Sequence, residues 1–327
     1  MNKSLIIALL VSVVLLPTIV EAHHGGVSLA LGPGSPIETS SPLTLPEGGF
    51  VVSTRVEQVE FKKFQFEEPM NKDSYTFYNL GLSYGVTPYL TTSLFMPYAI
   101  KRQDTLGSNR GFGDLKLSTT LGFNYEPNNG LRLNSHEDTA VTLEGNKRTY
   151  IALIGGVTLP TGESHKQLAE EIARDMQPGF RSPSFSIGAA VSRQVAEALS
   201  MTASTTYDIF TKSAGFKFGN ELRIDLAAIY ELYGKPEGVV SKIDGVLEFN
   251  FLKLQKDEEG GQKALASGGD ILYISPGMRF AIPKVNNANV GIMLKFPLAK
   301  SLNEGQQQQG SEGLEKVRAI ATLSFYF

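Results

Sequence analysis

Apolar side chains recur at every second position along most of this chain. In residues 74–86, Tyr78, Leu80, Leu82, Tyr84 and Val86 share one face, while Asn79, Gly81, Ser83 and Gly85 share the other. Leu115, Leu117, Thr119, Leu121 and Phe123 oppose Lys116, Ser118, Thr120 and Gly122. Phe185, Ile187, Ala189 and Val191 oppose Ser186, Gly188, Ala190 and Ser192. A period of two is the signature of a strand with unlike faces. Runs of this kind fall near 49–62, 74–86, 89–100, 112–124, 149–159, 184–194, 199–210, 215–232, 239–254, 270–282, 289–299 and 315–327. Most have the roughly 9–11 residues a membrane-crossing strand needs. The pattern predicts an all-β fold, an antiparallel transmembrane β-barrel of about twelve strands.

The links between runs alternate in length. Short ones lie at Val86-Thr87-Pro88, 195–198, Gly234-Lys235-Pro236-Glu237 and 283–288. Long polar ones lie at 63–73, 101–111, 160–183, 255–269 and 300–314. Short periplasmic turns and long outer loops are the habit of outer-membrane barrels. With the first strand rising from the periplasm, the long links fall outside. The long 125–148 link breaks the rule and predicts an insertion with a small hairpin, or a shifted strand count there. Within 160–183, the apolar positions Leu168, Ile172 and Met176 predict a helical loop cap over Glu163 to Met176.

The last run alternates to its end. Val317, Ala319, Ala321, Leu323 and Phe325 oppose Arg318, Ile320, Thr322, Ser324 and Tyr326, with Ile320 the one aliphatic residue on the polar face, and the final residue is Phe327. A soluble sandwich strand could alternate too, but an apolar aromatic terminus frays poorly into water. The ending resembles the C-terminal signal of bacterial outer-membrane barrels. It implies that the barrel-assembly machinery is a partner and that Phe325 and Phe327 carry its signal.

Residues 1–22 read as a signal peptide, with Lys3 before the apolar run Leu5 to Leu16 and Val20-Glu21-Ala22 at the cleavage position. Residues 23–48, rich in Gly, Pro, Ser and Thr, predict an extended periplasmic N-terminal segment without a core. The barrel then occupies 49–327.

Composition narrows the chemistry. Zero Cys excludes disulfides and thiolate sites, and a formal net charge of -3 indicates no nucleic-acid partner. Lys116, Arg223, Asp225, Glu231, Lys242, Asp244, Glu248, Arg279, Lys295 and Arg318 fall opposite apolar neighbours. A Lys or Arg facing lipid near the midplane costs about 2–4 kcal/mol, so these charges should line the lumen. They can border a wet solute path or lock a salt-bridged plug; the wet path is the expectation. His23 and His24 would begin the mature chain, where an amine beside two imidazoles can hold Cu(II) or Ni(II), although a flexible arm serves as well. Ser164-His165 lacks a recognisable third member for a hydrolase triad.

Four stretches point to a family. Pro42-Leu43-Thr44-Leu45-Pro46-Glu47-Gly48-Gly49 leads into the first strand, Gly85-Val86-Thr87-Pro88 turns after the second, Gly111-Phe112-Gly113-Asp114-Leu115 opens the fourth, and Leu159-Pro160-Thr161-Gly162-Glu163 ends the fifth. This ordered set resembles the outer-membrane transporters of the "MetA-pathway of phenol degradation" family. The resemblance implies a bacterial outer-membrane barrel that takes up small solutes, aromatic ones included, with no catalytic residue and no cofactor. The expectation is therefore a passive channel gated by the 160–183 loop, in contact with outer-membrane lipid and a small-molecule solute. Two alternatives stay open: an accessory barrel with a blocked lumen, and an outer-membrane lipid hydrolase.

Overall fold

The computed structural model describes residues 35–61, 74–103, 107–139, 148–168, 176–264, 267–303 and 315–327. The predicted signal peptide and the His23-His24 pair lie outside the described residues. The alternating runs become strands β1 (Phe50–Phe61), β2 (Ser74–Thr87), β3 (Leu90–Gln103), β4 (Gly107–Phe112), β5 (Leu115–Glu126), β6 (Gly130–Leu133), β7 (Thr149–Leu159), β8 (Ser184–Ala196), β9 (Leu199–Phe210), β10 (Phe216–Lys217), β11 (Glu221–Gly234), β12 (Lys242–Leu254), β13 (Glu258–Glu259), β14 (Gln262–Lys263), β15 (Gly269–Ile282), β16 (Ala288–Leu302) and β17 (Glu315–Tyr326).

Twelve of these close a ring: β1, β2, β3, β5, β7, β8, β9, β11, β12, β15, β16 and β17, which pairs back with β1. Neighbours around the ring are antiparallel, as the seam from Val51↔Tyr326 to Phe61↔Glu315 illustrates. Phe50 and Phe327 finish that seam by exchanging backbone hydrogen bonds of 3.0 and 2.9 Å. Strand β4 prolongs β5: β3 pairs with β5 at Leu90–Phe95 and with β4 at Tyr98–Gln103. β10, β13 and β14 form a separate small sheet on the outer loops.

The outer wall carries the apolar face. Leu80, Leu94, Leu117, Leu153, Ile187, Ile224, Leu247 and Leu294 are all exposed. In water such a belt would be an aggregation surface; in a bilayer it is the lipid contact. Of two sequence expectations for the links, one holds and one changes. The 125–148 link holds β6, which pairs with β5 from Phe123↔Leu133 to Glu126↔Gly130, so its described part contains the expected small hairpin, at the periplasmic end. No helix forms over residues 163–168, where the chain follows an irregular path; 169–175 lie outside the described residues. The polar contacts of this loop with the barrel interior replace helical hydrogen bonds.

The N-terminal segment is the larger correction. Residues 35–45 are extended, as their composition predicts, but they are inside the barrel rather than free in the periplasm. Glu38, Thr39, Leu43 and Thr44 are almost completely buried. The chain enters beside Arg279, rises to Glu248 and Ser204 at mid-height, and descends to Thr91 and Pro88 at the periplasmic rim. The inner wall makes room for it with glycines. A Cβ on Gly85 would sit 2.0 Å from the Pro46 carbonyl oxygen, and one on Gly277 would sit 2.9 Å from the Ile37 side chain.

Candidate functional site

Each of the ten charges assigned to the lumen faces inward, and each has a partner. Lys116 pairs with Asp208 at 3.4 Å, Arg223 with Glu221 at 2.6 Å, Glu231 with Lys242 at 3.3 Å, and Arg279 with Asp244 at 2.7 Å. Asp225 accepts from Asn250 at 3.0 Å and from Ser204 at 3.3 Å. Lys295 pairs with Glu38 of the inserted segment and lies 4.2 Å from the Tyr273 ring centre.

Sequence reasoning missed the centre of this network, which Arg55, Glu57 and Glu315 supply. Arg318 meets Glu57 at 3.2 Å and Glu315 at 2.9 Å, and Arg55 meets Glu57 at 2.5 Å. The side chains of Arg318, Glu57 and Glu315 are at most 5% exposed, so this part of the lumen is dry. The expectation of a wet path therefore fails at mid-barrel, because the N-terminal segment fills the space water would take. The signal was present: Arg55 and Glu57 alternate with Val56 and Gln58 on the inner phase of β1.

Glu248 holds the inserted segment. Its fully buried carboxylate accepts the backbone N–H groups of Ile37 at 2.8 Å, Glu38 at 3.0 Å and Thr39 at 2.7 Å, and the Thr39 hydroxyl at 2.5 Å. Four donors converge on one charge, and hydrogen bonds to a charged group are the stronger kind. Arg55 adds a 2.9 Å bond to the Ile37 carbonyl.

A second segment enters from the opposite end. In the 160–183 loop, Met176 and Gln177 are buried. Lys101 donates to the Gln177 carbonyl at 2.9 Å, Asn109 donates to the Met176 carbonyl at 3.0 Å, and the Tyr75 hydroxyl reaches the Met176 sulfur at 3.2 Å. Leu168 and Met176 join Val59, Phe61 and Tyr75 in an apolar cluster. Asp114 ties the loop to the wall by accepting Gly162 N–H and Phe180 N–H, both at 2.7 Å.

The four sequence motifs thus meet in two pairs. Gly111 to Leu115 and Leu159 to Glu163 join through Asp114 and Gly162. Residues 42–49 and Gly85 to Pro88 join through Thr44 and the Pro88 carbonyl at 2.6 Å, and through Gly48 N–H and the Gly85 carbonyl at 2.9 Å. Ser164 and His165 are 3.0 Å apart, but they are chain neighbours on the outer loop and His165 is exposed. Among the described residues, no cluster of three or more metal-ligating side chains is present.

A closed ring of twelve antiparallel strands, apolar outside and polar inside, is an outer-membrane β-barrel. The chain belongs to the family described as "Putative MetA-pathway of phenol degradation", whose model matches residues 44–299. A crystal structure of an outer membrane channel from Pseudomonas putida F1 superposes with a TM-score of 0.64 at 12% identity, covering 91% of this chain and 100% of that one. The β domain of the Bordetella autotransporter BrkA gives a TM-score of 0.46 at 10% identity, covering 86% and 100%. No curated protein sequence matches the chain.

Proposed function

We propose that the protein is a gated outer-membrane channel for passive uptake of small solutes, aromatic compounds among them. One observation carries the reading: what closes the lumen is not its wall but two inserted chain segments. Twelve strands enclose more room than the eight whose side chains just fill a barrel. Residues 35–45 and, from the outer loop, Leu168, Met176 and Gln177 occupy that room, and each segment is held largely by hydrogen bonds that water can replace. Release of both would leave a wall of Ser, Thr, Asn and charged side chains interspersed with Tyr75, Tyr150, Tyr273 and Ile320. The aromatic component of the proposal comes from the family the chain belongs to.

Liposome swelling tests it. Vesicles containing the barrel should swell in phenolic acids and in small sugars faster than protein-free vesicles. A partner for each of the ten luminal charges among the described residues favours a second reading, an accessory barrel that stays closed. That reading predicts no swelling with any solute.

A further inference from the structure

A cavity of about 410 Å³ lies at the outer end of the barrel, between β12, β15 and β16 and the small sheet of β10, β13 and β14. That is room for on the order of fourteen waters at about 30 Å³ each. The strand register puts its floor on the outside of the wall. Lys253 stands opposite Asp270, and Asp270 opposite Ser301, in one row across β12, β15 and β16. Their chain neighbours Leu252 and Ile271 are buried on the inner phase, so this row shares the face that meets lipid. Phe249, Ile274 and Phe296 form an apolar row on the same face, four residues below Lys253 along β12. At about 3.4 Å per residue, the cavity begins roughly 14 Å along the strand from that row, where a bilayer turns from hydrocarbon to headgroup.

The lining carries an excess of positive charge. Lys217, Lys253, Lys256 and Lys263 face Glu258 and Asp270. Lys253 is paired with Asp270 at 3.2 Å. Lys217 and Lys263 flank Glu258 on the small sheet, one across each strand pair. Neither of these two lysines is ion-paired or hydrogen-bonded through its side chain among the described residues, and the same is true of the Ser301 hydroxyl. All three are open to solvent: Lys263 and Ser301 are exposed and Lys217 is half-buried. Two accessible, unpaired ammonium groups in one cavity set an anion preference.

We infer that this cavity docks the phosphorylated headgroup of a lipid in the outer leaflet of the membrane. The phosphate oxygens accept from the ammonium groups of Lys217 and Lys263 and from the Ser301 hydroxyl, bonds of the charge-assisted kind. The acyl chains run down the wall over Phe249, Ile274 and Phe296. A solute in the lumen does not fit as the occupant, because Leu252 and Ile271 separate the lumen from this row. A free phosphate would satisfy the lysines but leave the apolar row unused. The inference rests on the long links facing the cell exterior and holds whether or not the lumen conducts.

The test is native mass spectrometry of the folded full-length barrel in neutral detergent. The barrel is titrated with diphosphoryl lipid A, with the same lipid stripped of its phosphates, and with inorganic phosphate as competitor. The expected result is saturable binding of the phosphorylated lipid, with the stripped lipid weaker by at least about tenfold. Inorganic phosphate should displace the lipid only in large excess. The Lys217→Gln, Lys263→Gln variant should lose at least about tenfold in affinity for the phosphorylated lipid and unfold at the parent's temperature, since neither side chain is bonded within the protein. Should that variant fail to fold, Lys263→Gln alone, at an exposed position, should still weaken the lipid. Lys316, an outer-end lysine paired with Glu60 away from the cavity, is the control, and Lys316→Gln should bind as the parent does. Equal binding of the stripped lipid, displacement by equimolar phosphate, unchanged affinity in the cavity variants, or an equal loss in Lys316→Gln would each overturn the site.

Discussion

Thr39 gives both its backbone N–H and its hydroxyl to the same carboxylate oxygen of Glu248, at 2.7 and 2.5 Å. The two residues are 209 positions apart in sequence, one in a glycine- and proline-rich leader and one on the inner face of β12. This contact makes the leader part of the barrel.

Glu248→Gln keeps the shape and removes the charge. An amide accepts at one oxygen only, so several of the four donors lose their partner. Each hydrogen bond to a charged group is worth about 1.5–3 kcal/mol. The amides of Ile37, Glu38 and Thr39 should therefore exchange with solvent much faster in the variant, while those of β12 stay protected. Unchanged protection at 37–39 would show that Glu248 does not hold the segment.

Arg318 stands between Glu57 and Glu315, all three buried. Arg318→Leu leaves Glu315 without its cation and Glu57 with Arg55 alone, and breaking a buried pair costs about 3–5 kcal/mol. Lys253 pairs with Asp270 at 3.2 Å with more than half of its side chain exposed, so Lys253→Ala should cost under about 1 kcal/mol. Denaturant unfolding in detergent compares them. Similar small losses in both would mean that the centre of the barrel is wet.

The outer segment hangs on Asp114, each of whose oxygens accepts one backbone N–H. Asn at this position can accept only one, so Asp114→Asn should loosen the loop by about 1–3 kcal/mol. Trypsin added to intact cells should then cut after Arg181 faster than in the parent. Equal rates would remove Asp114 as the anchor, and cleavage only after outer-membrane rupture would invert the orientation.

Much of this was legible from alternation alone. The odd positions of the last run, Val317 to Phe325, face outward, and Arg318 and Ile320 are buried inside, because a period of two permits nothing else once one face meets lipid. The leader was not legible. Its Ile37, Leu43 and Leu45 are too sparse to mark a core, and they are buried only because the barrel surrounds them. Gly85, Gly277 and Gly291 on inner faces were the missed hint. Sequence shows them as the small side of an alternation but not what lies against them. The pairing of motifs such as Asp114 with Gly162 joins separate strands, which no local pattern reveals.

At the periplasmic end, Asp138 accepts the hydroxyl and N–H of Ser135 at 2.6 and 2.9 Å and pairs with Arg148. Burial raises its pKa, but the Ser135 hydrogen bonds and the Arg148 charge outweigh burial and hold it below the usual carboxylate range. A depressed carboxyl contributes stability above its unfolded pKa, about 3.9, and loses it as pH falls through the lower folded value. Amides around Ser135 to Asp138 should therefore lose protection below about pH 4. Asp138→Asn should show the loosened state already at pH 7; a protected variant at neutral pH would contradict this role.

The proposed channel requires residues 35–45, one of the two segments that fill the lumen, to move as a gate. Ser40 N–H lies 3.3 Å from the Ser204 hydroxyl, and the native chain has no cysteine to interfere. The direct measurement is single-channel conductance of the Ser40→Cys, Ser204→Cys variant in planar bilayers, before and after reduction. The account predicts silence while the disulfide pins the segment to β9 and discrete openings once it is reduced. Silence in both states, with the reduced parent barrel also silent, would mean a sealed barrel; equal conductance in both would mean that the segment is not the gate.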